Sequence, residues 1–125
     1  MDKERLELYL IRNNAFGFNT EDNEKIVGWI ILSKRLPSAR FFEIVEEADD
    51  PITYRKQMII KREPYLVWIA QVTRETFESD KYGGNEDYLF NVNYTFSNLD
   101  DVEAFLKKMG YDLSEIKWRA DLSIW

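Results

Sequence analysis

The densest chemical feature of this chain is a group of carboxylates, Glu43, Glu46, Glu47, Asp49 and Asp50. Carboxylates hold a divalent cation, or divide into acid and base, only when several of them converge on one point. Glu43, Glu46 and Glu47 are three and four residues apart, so a helix would set them on one face. No D-x-D-x-D-G calcium loop accompanies them. A solvated helix face and a protein-binding face are the readings that remain, and a protein-binding face ranks above a metal site. A second acidic stretch, Glu75, Glu78, Asp80, Glu86 and Asp87, surrounds Tyr82 and Tyr88. Carboxylates beside tyrosine suit a basic protein surface, and they can also imitate phosphates. The competing reading is an ordinary hairpin loop.

The chain contains no histidine and no cysteine. These two side chains carry most general-base, thiol-nucleophile and zinc-ligand chemistry near neutral pH. Without them, cysteine hydrolases, histidine triads and disulfide exchange are excluded. No GxSxG, SxxK, HExxH or kinase motif occurs either. Gly83-Gly84 lacks the strand before it and the Lys-Ser/Thr after it that a phosphate loop needs, so it reads as a turn. Arg55, Lys56, Lys61 and Arg62 lie near Tyr54 and Tyr65, a mixture that single-stranded nucleic acid can use. With a net charge of −6 and a pI near 4.8, the chain offers no basic stripe to displace counterions. Pairing of that short basic cluster with the acidic segment is the more economical reading. No direct nucleic-acid binding, no cofactor and no metal are expected, and no catalytic residue is assigned.

The elements that would position these groups follow from periodicity. Glu4 to Arg12 alternates Leu6, Leu8 and Leu10 with Glu7, Tyr9 and Ile11, which predicts a strand. Gly17 to Glu24 reads as a polar loop. Lys25 to Ser33 is β-branched and favours a strand, although Thr20-Glu21-Asp22 before it and Lys34, Arg35 and Pro37 after it resemble helix signals. Ser38 to Asp49 places Phe41, Ile44, Val45 and Ala48 on one helix face. Residues 51 to 62 suit either a helix opened by Asp50-Pro51 or a strand. Tyr65 to Thr73 predicts a central strand, Arg74 to Asp87 a loop, and Tyr88 to Phe96 an alternating strand with one wetter face. Leu99 to Met109 predicts a helix capped by Ser97, with acids in its first turn, lysines in its last, and Gly110 just beyond. Trp118 to Trp125 predicts a short terminal strand. Trp29 and Trp68 sit inside apolar runs and belong to the core.

The sum is an α+β chain with a mainly antiparallel sheet and one or two packed helices, read as one domain over its 125 residues. The longest apolar run, Ile26 to Leu32, is too short for a bilayer, and the charged N-terminus is unlike a secretory signal. Together with the absence of cysteine, this points to the cytoplasm. In size, acidity and aromatic content the chain is similar to the immunity proteins, small acidic α+β proteins that neutralise bacterial toxins. It is similar in the same respects to phage-encoded inhibitors of nucleic-acid-handling machinery. That similarity implies a binding protein, not an enzyme, that masks a basic partner. Glu43, Glu46, Glu47, Asp49 and Asp50 would form the first contact surface. Glu78, Asp80, Tyr82, Glu86 and Asp87 would form the second, with a nearby aromatic as the anchor. The alternative is a small ligand-binding domain or carboxylate-based enzyme, which requires a concave pocket with converging carboxylates. A structural subunit would instead show an exposed apolar patch. Reversing three of the Glu43–Asp50 carboxylates to lysine is expected to slow association with a basic partner and flatten its salt dependence, measured by stopped-flow mixing. Unchanged association would exclude that face.

Overall fold

A computed structural model of the chain describes residues 1–35, 51–79 and 87–122. The predicted helix from Ser38 to Asp49, the glycine pair and Trp125 lie outside these residues. Five strands form one antiparallel sheet: β1 (Phe16–Asp22), β2 (Ile26–Lys34), β3 (Tyr65–Thr73), β4 (Phe90–Phe96) and β5 (Lys117–Trp118). Their order across the sheet is β4-β3-β2-β1-β5. Four α-helices are described: α1 (Lys3–Ile11), α2 (Pro51–Arg62), α3 (Arg74–Ser79) and α4 (Leu99–Lys108). The α+β class expected from periodicity is the class observed.

The sheet is built on β2 and β3, which pair without interruption from Ile26 opposite Thr73 to Lys34 opposite Tyr65. Val27 to Leu32 is buried continuously, so the run lacks the alternation of a half-exposed strand because both of its faces are covered. On one face, Ile30, Leu32, Val67 and Ile69 meet Leu6 and Leu10 of α1 and Val102 and Leu106 of α4. On the other, Val27, Trp29, Ile31, Ala70 and Val72 pack with Leu122, Phe77 of α3, and Tyr88. Trp29 and Trp68 meet edge to face at 5.3 Å there, an arrangement favoured by the ring quadrupoles. Trp29 is fully buried and Trp68 partly so.

Three segments depart from the sequence expectation. Residues 4–12 form helix α1, not a strand. Leu6 and Leu10 are the buried pair, spaced i and i+4, while Leu8 and Ile11 face solvent. The segment is rich in strong helix formers, and Asp2 caps it by accepting from the Arg5 amide at 2.8 Å. Residues 17–24 are not a loop. Phe16 to Asp22 pairs with β2, and only Phe16 and Phe18 supply apolar weight, so the strand rests on tertiary pairing. A bulge falls between Asn19 and Glu21. Residues 74–79, expected in a loop, form the short helix α3, where the Thr73 hydroxyl accepts from the Thr76 amide at 3.1 Å.

The remaining elements hold with adjustments. Residues 51–62 are helical, opening at Pro51 and ending in Lys61 and Arg62. The cap of α4 is Asn98, not Ser97; its side chain accepts from the Asp101 amide at 2.8 Å. Gly110 follows with φ +92°, where a side chain would be strained. Of the expected terminal strand, the described residues form a strand at Lys117–Trp118, succeeded by a 3₁₀ turn at Arg119–Asp121.

Gly17 lies so close to β2 that a Cβ there would sit 2.0 Å from the Ile30 carbonyl oxygen. Because that neighbour is backbone inside the core, Gly17→Ala is expected to cost more than about 2 kcal/mol in urea unfolding. Leu106→Ala, a simple cavity, is expected to cost about 2–5 kcal/mol. Stability for Gly17→Ala within about 0.5 kcal/mol of the parent would show that β1 and β2 are not held at this separation.

Candidate protein-binding surface

Charged groups gather at the end of the sheet where β1 turns into β2. The Asn23 side chain shapes that turn by accepting from the amides of Lys25 and Ile26, both at 2.9 Å. The turn leaves Glu21, Asp22 and Glu24 exposed. Helix α3 begins directly after β3, beside this turn. Arg74 at its start bonds the Asn23 carbonyl through Nε at 3.0 Å, pairs with Asp22, and donates its amide to the Lys25 carbonyl at 2.9 Å. Glu75 and Glu78 are exposed on the same short helix. The result is an open depression of about 530 Å³ lined by Asp22, Asn23, Glu24, Arg74 and Glu78. Its carboxylates outnumber its cations, so the local potential is negative.

Of the residues proposed from sequence, Glu78 is brought into this depression. Asp87 is half-buried and is not one of the lining residues. It precedes Tyr88, whose ring packs 6.5 Å from Trp29 and 6.4 Å from Trp68. Tyr88 thus belongs to the core on the face away from α1 and α4. Glu43, Glu46, Glu47, Asp49, Asp50, Asp80, Tyr82 and Glu86 lie outside the described residues. Asp22 and Glu24 escaped the sequence reading because their segment looked like a loop with no partner. Only recognition of β1 as a strand would have placed them beside α3.

A second polar group has no counterpart in the sequence expectations. Lys34 and Tyr65 are direct cross-strand partners at the ends of β2 and β3, and Glu7 reaches them from α1. The Glu7 carboxylate accepts from the Lys34 ammonium at 2.5 Å and from the Tyr65 hydroxyl. The ammonium also lies 4.8 Å from the centre of the Tyr65 ring. Burial disfavours the Lys34 charge, but its bonds to Glu7 and Tyr65 outweigh that penalty and raise its pKa above the ordinary lysine value. Burial, reinforced by the bond to Glu7, raises Tyr65 as well. The cluster fastens α1 to the sheet through charge-assisted bonds.

A larger groove, about 690 Å³, runs along α4 and is lined by Asp100, Glu103, Lys107, Tyr111 and Asp112 among others. Its carboxylates do not converge on open space. Asp100 and Glu103 are both taken by Lys3 of α1, at 2.8 and 3.2 Å, and those bonds raise the Lys3 pKa. Asp112 caps the following turn through Ser114, whose bonds lower its pKa. Among the described residues, no set of three or more carboxylates is arranged to hold a metal, and no helix is long and apolar enough to cross a membrane. Neither family models, nor curated proteins, nor solved structures give a match to this chain.

The Glu7–Lys34–Tyr65 cluster has a consequence for alkaline stability. Both raised groups keep their protons to higher pH in the folded state than in the unfolded chain, so the unfolded state binds fewer protons and stability falls as pH rises. Their contribution is complete below about pH 10 and lost above it. Urea unfolding from pH 8 to pH 11 is expected to show this fall, and Lys34→Met combined with Tyr65→Phe is expected to flatten it. Superimposable profiles for variant and parent would remove the cluster as its source.

Proposed function

We propose that this chain is a cytoplasmic protein-binding inhibitor that docks on a basic partner, either a toxin or a nucleic-acid-handling protein, and masks its cationic surface. The observation that carries the reading is the joining of the β1–β2 turn to α3. It presents Asp22, Glu24 and Glu78 together in one open depression, with Glu21 and Glu75 exposed nearby. An open negative surface on a rigid sheet end accelerates encounter with a cationic partner and sets its orientation. The net charge of −6 acts in the same direction at longer range. In the larger groove Asp100 and Glu103 are already bound to Lys3 and Asp112 to Ser114, so they are poorly placed for acid–base chemistry, which favours binding over catalysis. The acidic residues Glu43 to Asp50, with Asp80 and Glu86, extend the same charge in the sequence.

The test is capture from the source organism's lysate on the immobilised chain at low salt, elution by a salt gradient, and stopped-flow association with the eluted protein. A basic partner is expected, one whose association slows as salt rises. The triple variant Glu24→Lys/Glu75→Lys/Glu78→Lys is expected to lower the association rate at least about tenfold and to flatten its salt dependence. Because these positions are exposed, its unfolding free energy should stay within about 1 kcal/mol of the parent. An association rate that the triple variant does not change would sink the reading.

A further inference from the structure

We propose that β4 is a self-association edge, at which two copies of the chain join their β4 strands antiparallel and continue one sheet into the other. β4 is the last strand on its side of the sheet and pairs only with β3 among the described residues. Phe90, Asn91, Asn93 and Tyr94 are exposed along it, and the outer row of backbone N–H and C=O groups of an end strand is a template for another strand. Proteins usually guard such an edge with lysine, proline, a bulge or brevity. From Tyr88 to Phe96 the sequence contains no charged residue and no proline, and the register with β3 runs without a break from Phe90 to Phe96. The opposite edge shows the contrast: β5 has two residues and is closed off by a 3₁₀ turn.

The pattern of β4 identifies a second copy as the occupant. The strand reads Phe90, Asn91, Val92, Asn93, Tyr94, Thr95, Phe96, apolar and polar in strict alternation about its middle residue. A two-fold axis through Asn93, perpendicular to the sheet, sets Phe90 opposite Phe96 and Val92 opposite Tyr94. On the other face it sets Asn91 opposite Thr95 and Asn93 opposite its own copy. All seven residues pair like with like, and the helix layers of both copies fall on the same side. A shift of one residue would place apolar side chains opposite polar ones and set the helix layers on opposite faces. Charge favours the same place: two chains of net charge −6 repel one another least along a stretch that carries none.

Strand pairing over seven residues buries less than a stable dimer needs, so flanking apolar surface has to contribute. That surface is present. Leu89, Phe90 and Tyr94 are 56%, 48% and 39% exposed along the edge, and Met109 is 40% exposed one turn beyond Phe105 on α4. Phe105 itself packs over Tyr94 and Phe96, with ring centres 4.8 and 5.1 Å apart. Helix α4 thus stands directly behind the proposed seam.

Sedimentation velocity of the full chain from about 1 to about 200 μM tests this. The expected result is a concentration-dependent shift from the 15.0 kDa monomer to a species of twice that mass. Asn93 is exposed, and Asn93→Lys would set two ammonium groups directly opposite one another. This variant is expected to weaken the dimer at least tenfold, while its far-UV circular dichroism and its urea midpoint at about 1 μM, where both proteins are monomeric, stay at parental values. Mixing Asn93→Lys with Asn93→Glu should restore a 1:1 dimer. A parent chain that stays monomeric throughout overturns the proposal. So does a dimer that Asn93→Lys leaves intact, or a lysine–glutamate mixture that fails to associate.

Discussion

Everything in this fold follows from the need to cover β2 and β3 on both faces. The pair carries Val27, Trp29, Ile31, Ala70 and Val72 toward one side and Ile30, Leu32, Val67 and Ile69 toward the other. Each large side chain that leaves water contributes about 1.5–3 kcal/mol, so neither face can stay open. α1 and α4 meet the first face with Leu6, Leu10, Val102 and Leu106. Phe77, Tyr88 and Leu122 meet the second. β1 is a strand because β2 has a free edge beside it. Its own composition, with two phenylalanines followed by Asn-Thr-Glu-Asp, would not hold it extended.

That dependence explains what could be read in the sequence and what could not. β2, β3, β4 and α4 carry their own evidence: continuous apolar runs, clean alternation, and a stripe with capping and dipole charges. At Lys25–Ser33 composition and capping pointed different ways, and composition prevailed because a strand buried on two faces has no alternation to show. α1 misled because Leu6, Leu8 and Leu10 satisfy a period of two, while Leu6 with Leu10 also satisfies a helix. Three-dimensional packing decides between them, and Asp2 was the local signal. The short α3 was hidden in a polar stretch with one aromatic, Phe77, whose role shows only when Val27 and Trp29 lie beneath it.

The polar groups repeat this lesson at longer range. Glu7, Lys34 and Tyr65 lie in three separate segments and meet only when α1 crosses the ends of β2 and β3. No spacing in the sequence announces them, because spacing rules apply within one element. Asp22 and Glu24 are a similar case. Their charge was visible from the start, but their neighbours in α3 were not, since Arg74 is 52 residues from Asp22. Acidic composition foretold a negative surface. Its location had to wait for the strand pairing.

The acidic depression and the uncharged β4 edge are physically independent. Asn93 lies opposite Trp68 on β3, and Ile26, at the foot of the β1–β2 turn, lies opposite Thr73. Five residues along β3 and two strand spacings across the sheet separate them by about 19 Å. At physiological salt the screening length is about 8 Å, so carboxylates at the turn hardly act at the edge. At millimolar salt it grows past about 30 Å, and the whole negative charge of each copy opposes self-association while favouring a cationic partner. Ionic strength therefore moves the two interactions in opposite directions. A strand edge kept free of charge on an acidic protein gains strength as salt rises, and an acidic docking surface loses it.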